Sequence, residues 1–353
     1  MSILTFNFHQ IAGVQIESED SGLLEFFEAE YRPSSSPLVQ DMNKVSLNWS
    51  KSNWPFAAGY RIQLHKCLAR WAYKITFHEN AIHIDAIGNQ TAVPMVHHML
   101  VHPSLRYLCA RKDALMLHGS AVVLNGKSLV FTGVGGAGKT TISSLILRYG
   151  GTDWNLHADD YVFLTHGPKS FSYMTRSHLY RDQVRWMLGI RDLLSSKERL
   201  HLEFFGRLRE ITRDQIKWPL RIEPSRLWPE HTISPQADLA AIIILSRDKV
   251  DQLSLEKLDA SDGIVQELLQ MNFYEARHFI KLVKKTFGDA ILVDKLAPWK
   301  QRESDLLYRI LQQAPLFRLN LPLHETSGDR FGKDLVHILK PLTNLSTENR
   351  PNA

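Results

Sequence analysis

The stretch Phe131–Thr141, FTGVGGAGKTT, lays two phosphate-binding patterns over the same residues. Gly133, Gly135 and Gly138 spell G-x-G-x-x-G, the dinucleotide fingerprint, while Gly133, Gly138, Lys139 and Thr140 spell G-x-x-x-x-G-K-T, the P-loop. A P-loop turns successive backbone N–H groups onto phosphate oxygens, and the helix that follows adds the positive end of its dipole. Glycine is needed where φ is positive or where a Cβ would strike the phosphate. Lys139 would neutralise β- and γ-phosphate charge, and Thr140 would offer its hydroxyl to Mg2+. Asp159 and Asp160 follow about 20 residues later, where either a ribose-binding acid or a magnesium carboxylate is wanted.

Lys139 and Thr140 are explained by the P-loop and not by the fingerprint. A dinucleotide fold also wants its acid at the C-terminal end of an apolar strand, whereas the apolar run YVFL follows Asp160 and the more polar DWNLH precedes Asp159. Phosphoryl transfer needs a carboxylate to hold Mg2+ beside Thr140, and an alcohol acceptor needs a base to orient it and take its proton. Two adjacent aspartates can divide these tasks if their surroundings separate their pKa values. His118, in LMLHGSAVVL, is a further candidate. His157 lies near the acid pair but lacks a second ligand at zinc spacing.

The elements that must position these residues can be read around them. Leu115–Gly133 holds two apolar runs about Asn125-Gly126, a hairpin signal; Lys139–Gly150 reads as a helix stopped by Gly150-Gly151. Leu239–Leu245, LAAIIIL, reads as a buried strand, SDGIVQELLQM and YEARHFIKLVKKTF as amphipathic helices, and APLFRLNL as a late strand. Ahead of these, residues 1–110 read as a small α+β unit. It has a helix over Ser21–Tyr31 capped by Ser21, a loop at Arg32–Pro37, and a hairpin of Tyr73–Phe77 with Ala81–Ile84. A further helix over Ala92–Asp113 is broken or begun afresh at Pro103. The expected organisation is therefore 1–110 as an accessory unit, 111–342 as the phosphate-binding domain and 343–353 as a loose tail.

LHGSAVVLNGKSLVFTGVGGAGKTTISSLIL followed by HADDYVFL resembles the kinase domain of the HPr kinase/phosphorylase family and its relatives. The match covers about residues 115–165 and extends loosely to APLFRLNL. The resemblance implies an α/β P-loop domain of the HPr kinase/PEP carboxykinase type, with a mixed central sheet flanked by helices, and ATP and Mg2+ as cofactors. Gly133, Val134, Gly135, Gly136, Ala137, Gly138, Lys139, Thr140 and Thr141 would bind nucleotide phosphates, with Thr140 on Mg2+. Asp160 would be the general base, and Asp159 would pair with His118 or approach the metal. The Glu-x-Arg-Gly signature of the HPr-specific enzymes is missing, and FFGRLRE (Phe204–Glu210) does not supply it. The resemblance thus points to HPr-kinase-related proteins, such as the serine kinases of lasso-peptide gene clusters, which phosphorylate a peptide. A nucleotide-binding regulator on the same fold is the reading from a different class. The relatives often assemble into oligomers.

The 353 residues carry 42 Lys/Arg against 37 Asp/Glu, a mild +5 that gives no reason to invoke nucleic acid. From Arg176 to Arg226 there are 12 Lys/Arg against 7 Asp/Glu, a local +5 suited either to a solvated face or to an acidic partner. MSILTFNFHQ lacks the form of a signal peptide, and no run is long enough to cross a membrane, so a cytoplasmic protein is expected. Cys67 and Cys109 read as two thiols rather than a disulfide.

Overall fold

The computed structural model describes residues 1–32, 42–52, 61–65, 68–186, 189–213, 216, 218–248, 250, 252–322 and 328–344. By packing, the chain divides into two compact units, each built from two pieces of sequence: Met1–Met116 with Val265–Leu307, and Leu117–Ile264 with Tyr308–Ala353. The expected break near residue 110 falls close to the first crossing. The helical segment Val265–Leu307, placed by sequence in the phosphate-binding domain, groups instead with the N-terminal residues. The loop expected at Arg32–Pro37, most of the tail and Cys67 lie outside the described residues. Among the described residues, no helix is long and apolar enough to cross a membrane.

The first unit is organised on a six-stranded sheet. Its order is Ser2–Phe8, Ala12–Ser18, Lys44–Lys51, Ala81–Gly88, Ala69–Phe77, Arg61–His65. The expected hairpin is present, with Phe77 opposite Ile82 across the turn. Helix Ser21–Tyr31 buries Leu23, Phe27 and Tyr31 at four-residue spacing. Its cap is Asp20 rather than Ser21: the Asp20 carboxylate accepts from the Gly22 N–H at 3.1 Å. Pro103 does not break the helical course, but an α-helix does begin afresh beside it. A π-turn over His97–Val101 leads into helix His102–Ala110 and places Pro103 in its first turn, where no intrahelical N–H is required.

A buried ion pair explains why Val265–Leu307 belongs here. Arg106 Nε donates to Glu303 Oε1 at 2.8 Å, a second guanidinium nitrogen donates to Oε2, and a third to the Asn272 carbonyl. Trp299 Nε1 also donates to Glu303, and the guanidinium lies over the Phe273 and Trp299 rings. Both charged side chains are almost fully enclosed. Each carries enough hydrogen bonds to offset its desolvation, which is the condition for keeping ions inside. Next to them the Cys109 thiol is buried and free, its pKa pushed up by burial.

The second unit is built on an eight-stranded mixed sheet. Its order is Lys169–Tyr173, Tyr161–Thr165, Ala114–Leu124, Lys127–Thr132, Gln236–Asp248, Leu316–Pro322, Ser254–Leu258, and Trp154–Ala158 pairs beside Ala114–Leu124. Asn125 and Gly126 both have positive φ, 52° and 73°, the form of the tight hairpin turn expected there. The buried strand read at Leu239–Leu245 runs parallel to both Lys127–Thr132 and Leu316–Pro322. The glycine loop follows Lys127–Thr132, and helix Lys139–Gly150 packs Ile142, Leu145 and Ile146 into a core shared with Phe131, Ile243, Leu319 and Leu335.

Replacing Arg106 with Met should strand the Glu303 carboxylate in the interior and lower the unfolding free energy by about 3–5 kcal/mol. Adding Glu303→Leu should recover most of that loss. Denaturant titration of the two variants checks both halves, and a double variant no better than the single would show that the pair is not the source.

Candidate active site

The glycine loop owes its shape to its composition. Gly133, Gly136 and Gly138 have φ of 152°, 86° and 104°, values that side-chain-bearing residues rarely adopt. Val134, Gly135 and Gly136 are exposed, and Ala137 is buried beneath them. Gly138 caps helix Lys139–Gly150, so the N–H groups of Lys139, Thr140 and Thr141 have no intrahelical acceptor and lie at the positive end of the dipole. Lys139 is buried, and its ammonium donates to the Gly133 carbonyl at 3.0 Å and the Val134 carbonyl at 3.4 Å.

The acid pair occupies a break between two strands. Trp154–Ala158 and Tyr161–Thr165 both lie against Ala114–Leu124, and Asp159-Asp160 is the bend that separates them. DWNLH is therefore strand, and the acids do follow one, contrary to the sequence expectation. Its Trp154, Leu156 and His157 are buried while Asn155 is only partly so, which hid it among polar letters. The dinucleotide arrangement is still not formed. Ala114–Leu124 lies between Lys127–Thr132 and Trp154–Ala158, so the strand after the loop's helix is not the hydrogen-bonded neighbour of the strand before it.

The HGS of LHGS joins the two halves of the site. The His118 carbonyl accepts from the Thr132 hydroxyl at 2.9 Å, and the Gly119 N–H donates to the Asp160 carbonyl at 3.0 Å. Ser120 accepts at 2.8 Å from Ser143 on the loop's helix. Glycine is required at 119 by close approach, since a Cβ there would sit 2.6 Å from the Phe131 carbonyl oxygen.

The two aspartates differ in charge state for separable reasons. Asp159 is 7% exposed. Burial, and then the neighbouring Asp160 charge, raises it to about 6, against hydrogen bonds from Thr140 and Ser177 that act the other way. Burial would also raise Asp160. A hydrogen bond and positive charge from His178, with further charge from His118 and Lys139, more than reverse this and hold it well below the usual carboxylate range. His178 Nδ1 lies 3.2 Å from Asp160 Oδ2. The Thr140 and Ser177 hydroxyls thus act on Asp159, and His118 acts on Asp160.

Three contributors escaped the sequence reading. Ser177 and His178 arrive on the short strand Ser177–Leu179, which no local pattern links to the acids. Arg247 follows the buried strand read from LAAIIIL, and its Nε donates to the Ala137 carbonyl at 3.4 Å. The signal for Arg247 was available: ligands of open α/β sheets gather at the C-terminal ends of strands, and Ser246-Arg247-Asp248 stands there. His157, by contrast, is buried and bonds through Nδ1 to the Ser234 carbonyl at 2.7 Å, a packing role.

An acid with a raised pKa stabilises the fold while protonated. Asp159 therefore contributes fully below about pH 4, and the contribution is lost as pH rises through about 6. In metal-free buffer, the stability of the wild-type chain relative to Asp159→Asn should fall by up to about 3 kcal/mol between those limits. Denaturant titrations at a series of pH values measure it, and a pH-independent difference would place Asp159 in a wetter setting. Comparison of the chain with protein-family models and with curated proteins finds no match.

Proposed function

We propose that this chain is a cytoplasmic, ATP-dependent phosphotransferase with a P-loop domain of the HPr kinase/PEP carboxykinase type, passing a phosphoryl group to a Ser or Thr hydroxyl of a peptide or protein, or to a small alcohol. One observation carries the reading: the His118–Gly119 peptide ties Thr132, at the start of the glycine loop, to the backbone of Asp160, so the loop and the acid pair are held in one register. A glycine-rich turn with no phosphate to bind would need no acid pair fixed to it.

The donor set suits magnesium. A hydroxyl and a carboxylate are hard oxygen ligands, and this ion commonly takes one or two carboxylates and completes its shell from phosphate and water. Thr140 and Asp159 would hold it; when bound, it supplies charge neutralisation on the phosphate oxygens. The remaining work falls to the chain's own residues. Backbone N–H groups of Gly133–Thr141 cradle the phosphates, Lys139 opposes their charge, and Arg247 adds a second cation behind the loop. Asp160 orients the acceptor hydroxyl and takes its proton late, when the oxygen has become acidic. A weakly basic carboxylate suffices because the barrier is mainly one of positioning and charge. His178 stands next to Asp160 and can share the proton.

The depressed pKa of Asp160 also favours a second reading, a nucleotide-binding regulator with little transferase activity, since such a carboxylate is a poor base. The two separate on incubation with Mg2+ and γ-labelled ATP in the presence of a serine- and threonine-containing peptide library. Transfer of label, reduced about 10^2- to 10^4-fold by Asp160→Asn with nucleotide affinity changed only a few-fold, is the kinase outcome. Nucleotide binding without label on chain or peptide gives the regulator, and full transfer by Asp160→Asn removes the base assignment.

A further inference from the structure

The segment from Arg176 to Arg226 carries 12 Lys/Arg against 7 Asp/Glu, and its longest element, helix Ser196–Ile211, is set outside-in. Only Leu202 of that helix is buried. It rests on a small apolar cluster with Leu179, Ile190, Leu194, Ile222 and Leu227. All three of its carboxylates turn to arginines from other elements. Glu198 meets Arg226 at 2.6 Å, and Glu203 and Glu210 meet Arg181 at 2.8 and 2.9 Å. Gly206, in mid-helix, leaves room for the Arg181 side chain, which a Cβ would approach to 2.5 Å. The helix is thus held by its acids and one leucine, together with Arg209 on Asp182 and Phe205 stacked on Trp218.

The opposite face carries what remains. Leu200, Phe204 and Ile211 are 71%, 60% and 79% exposed. With Lys197 and Arg207, both exposed, they fall at spacings of three, four, three and four residues, the seam along which one helix receives another. Among the described residues, neither Lys197 nor Arg207 is ion-paired, because the helix's own carboxylates are engaged by Arg226 and Arg181.

We infer that this face docks an acidic amphipathic helix of a partner protein, whose apolar side chains meet Leu200, Phe204 and Ile211 and whose carboxylates meet Lys197 and Arg207. The charge pattern selects the occupant. A second copy aligned in parallel would set the cations against one another, and an antiparallel copy would set them against apolar side chains. A lipid surface is matched by a broad apolar face, whereas here the three apolar side chains span only about 40° of the helix circumference, with Arg207 and Lys197 on its two edges. The inference is independent of whether the acid pair transfers phosphate.

The test uses the full chain and two labelled amphipathic peptides of about three heptads, identical except for glutamate or lysine flanking the leucine seam. Fluorescence anisotropy should show the acidic peptide binding at least ten-fold more tightly. Phe204→Ala should weaken it about ten-fold, and Lys197→Glu with Arg207→Glu should reverse the preference, with circular dichroism confirming that each variant is folded. Nucleotide affinity should be unchanged throughout, so loss of label transfer in the preceding experiment leaves this result standing. Equal affinity for the two peptides, or a preference that survives the double charge reversal, overturns the inference. So does a dimer in sedimentation that Phe204→Glu dissolves, or binding to phosphatidylserine vesicles that depends on Phe204 in place of peptide binding.

Discussion

One peptide group holds the candidate site together. The carbonyl of His118 accepts from Thr132 at the root of the glycine loop, and the N–H of the same peptide unit, on Gly119, donates to the backbone of Asp160. The glycine loop and the acid pair are about 20 residues apart in sequence, and they are registered to each other through this rigid plane. Nothing larger than hydrogen fits at residue 119, because the neighbouring strand passes so close. The separation of loop and acids is therefore set by covalent geometry and by strand spacing, and owes little to side-chain packing that could relax.

The same arrangement divides the labour of two adjacent carboxylates. Neighbouring negative charges in a poorly solvated place resist being ionised together. Here the conflict is settled by unequal surroundings: His178, His118 and Lys139 act on Asp160, whereas Asp159 has the Thr140 and Ser177 hydroxyls and only the weaker reach of His178. Hydroxyls stabilise a carboxylate without supplying charge, which leaves Asp159 the member of the pair most responsive to an arriving cation. The arginine at the end of the central parallel strand adds positive charge on the far side of the loop, so opposite signs flank the place where a phosphate would rest.

What could be read from sequence was whatever short-range chemistry decides. The Asn125-Gly126 turn, the glycine loop, its helix and the apolar central strand each depend on residues within a few positions of one another, and each formed where expected. The cap at Asp20 missed by one residue because aspartate and serine compete for the same role. The strand Trp154–Ala158 was missed because an alternating strand needs apolar residues on one face only, and its other face shows asparagine. Ser177, His178 and the grouping of Val265–Leu307 with the N-terminal sheet were out of reach for a different reason: partners more than a dozen residues apart leave no local pattern. In the candidate site, the glycine loop and its helix were legible and the electrostatic partners of the acids were not.

The discontinuity of the first unit also bears on how the chain is made. Arg106 and Glu303 are separated by 197 residues. At ribosomal speeds of about 5–20 residues per second, the arginine waits on the order of 10–40 s for its counterion. During that interval the helix carrying it cannot bury its charged side, and the N-terminal sheet lacks part of its cover. Vectorial synthesis thus gives this protein no early finished piece. The second unit, too, awaits its strand Leu316–Pro322, so neither half closes until residues beyond 300 have been made, and until then the nascent chain presents apolar surface that the cell's chaperones must shield.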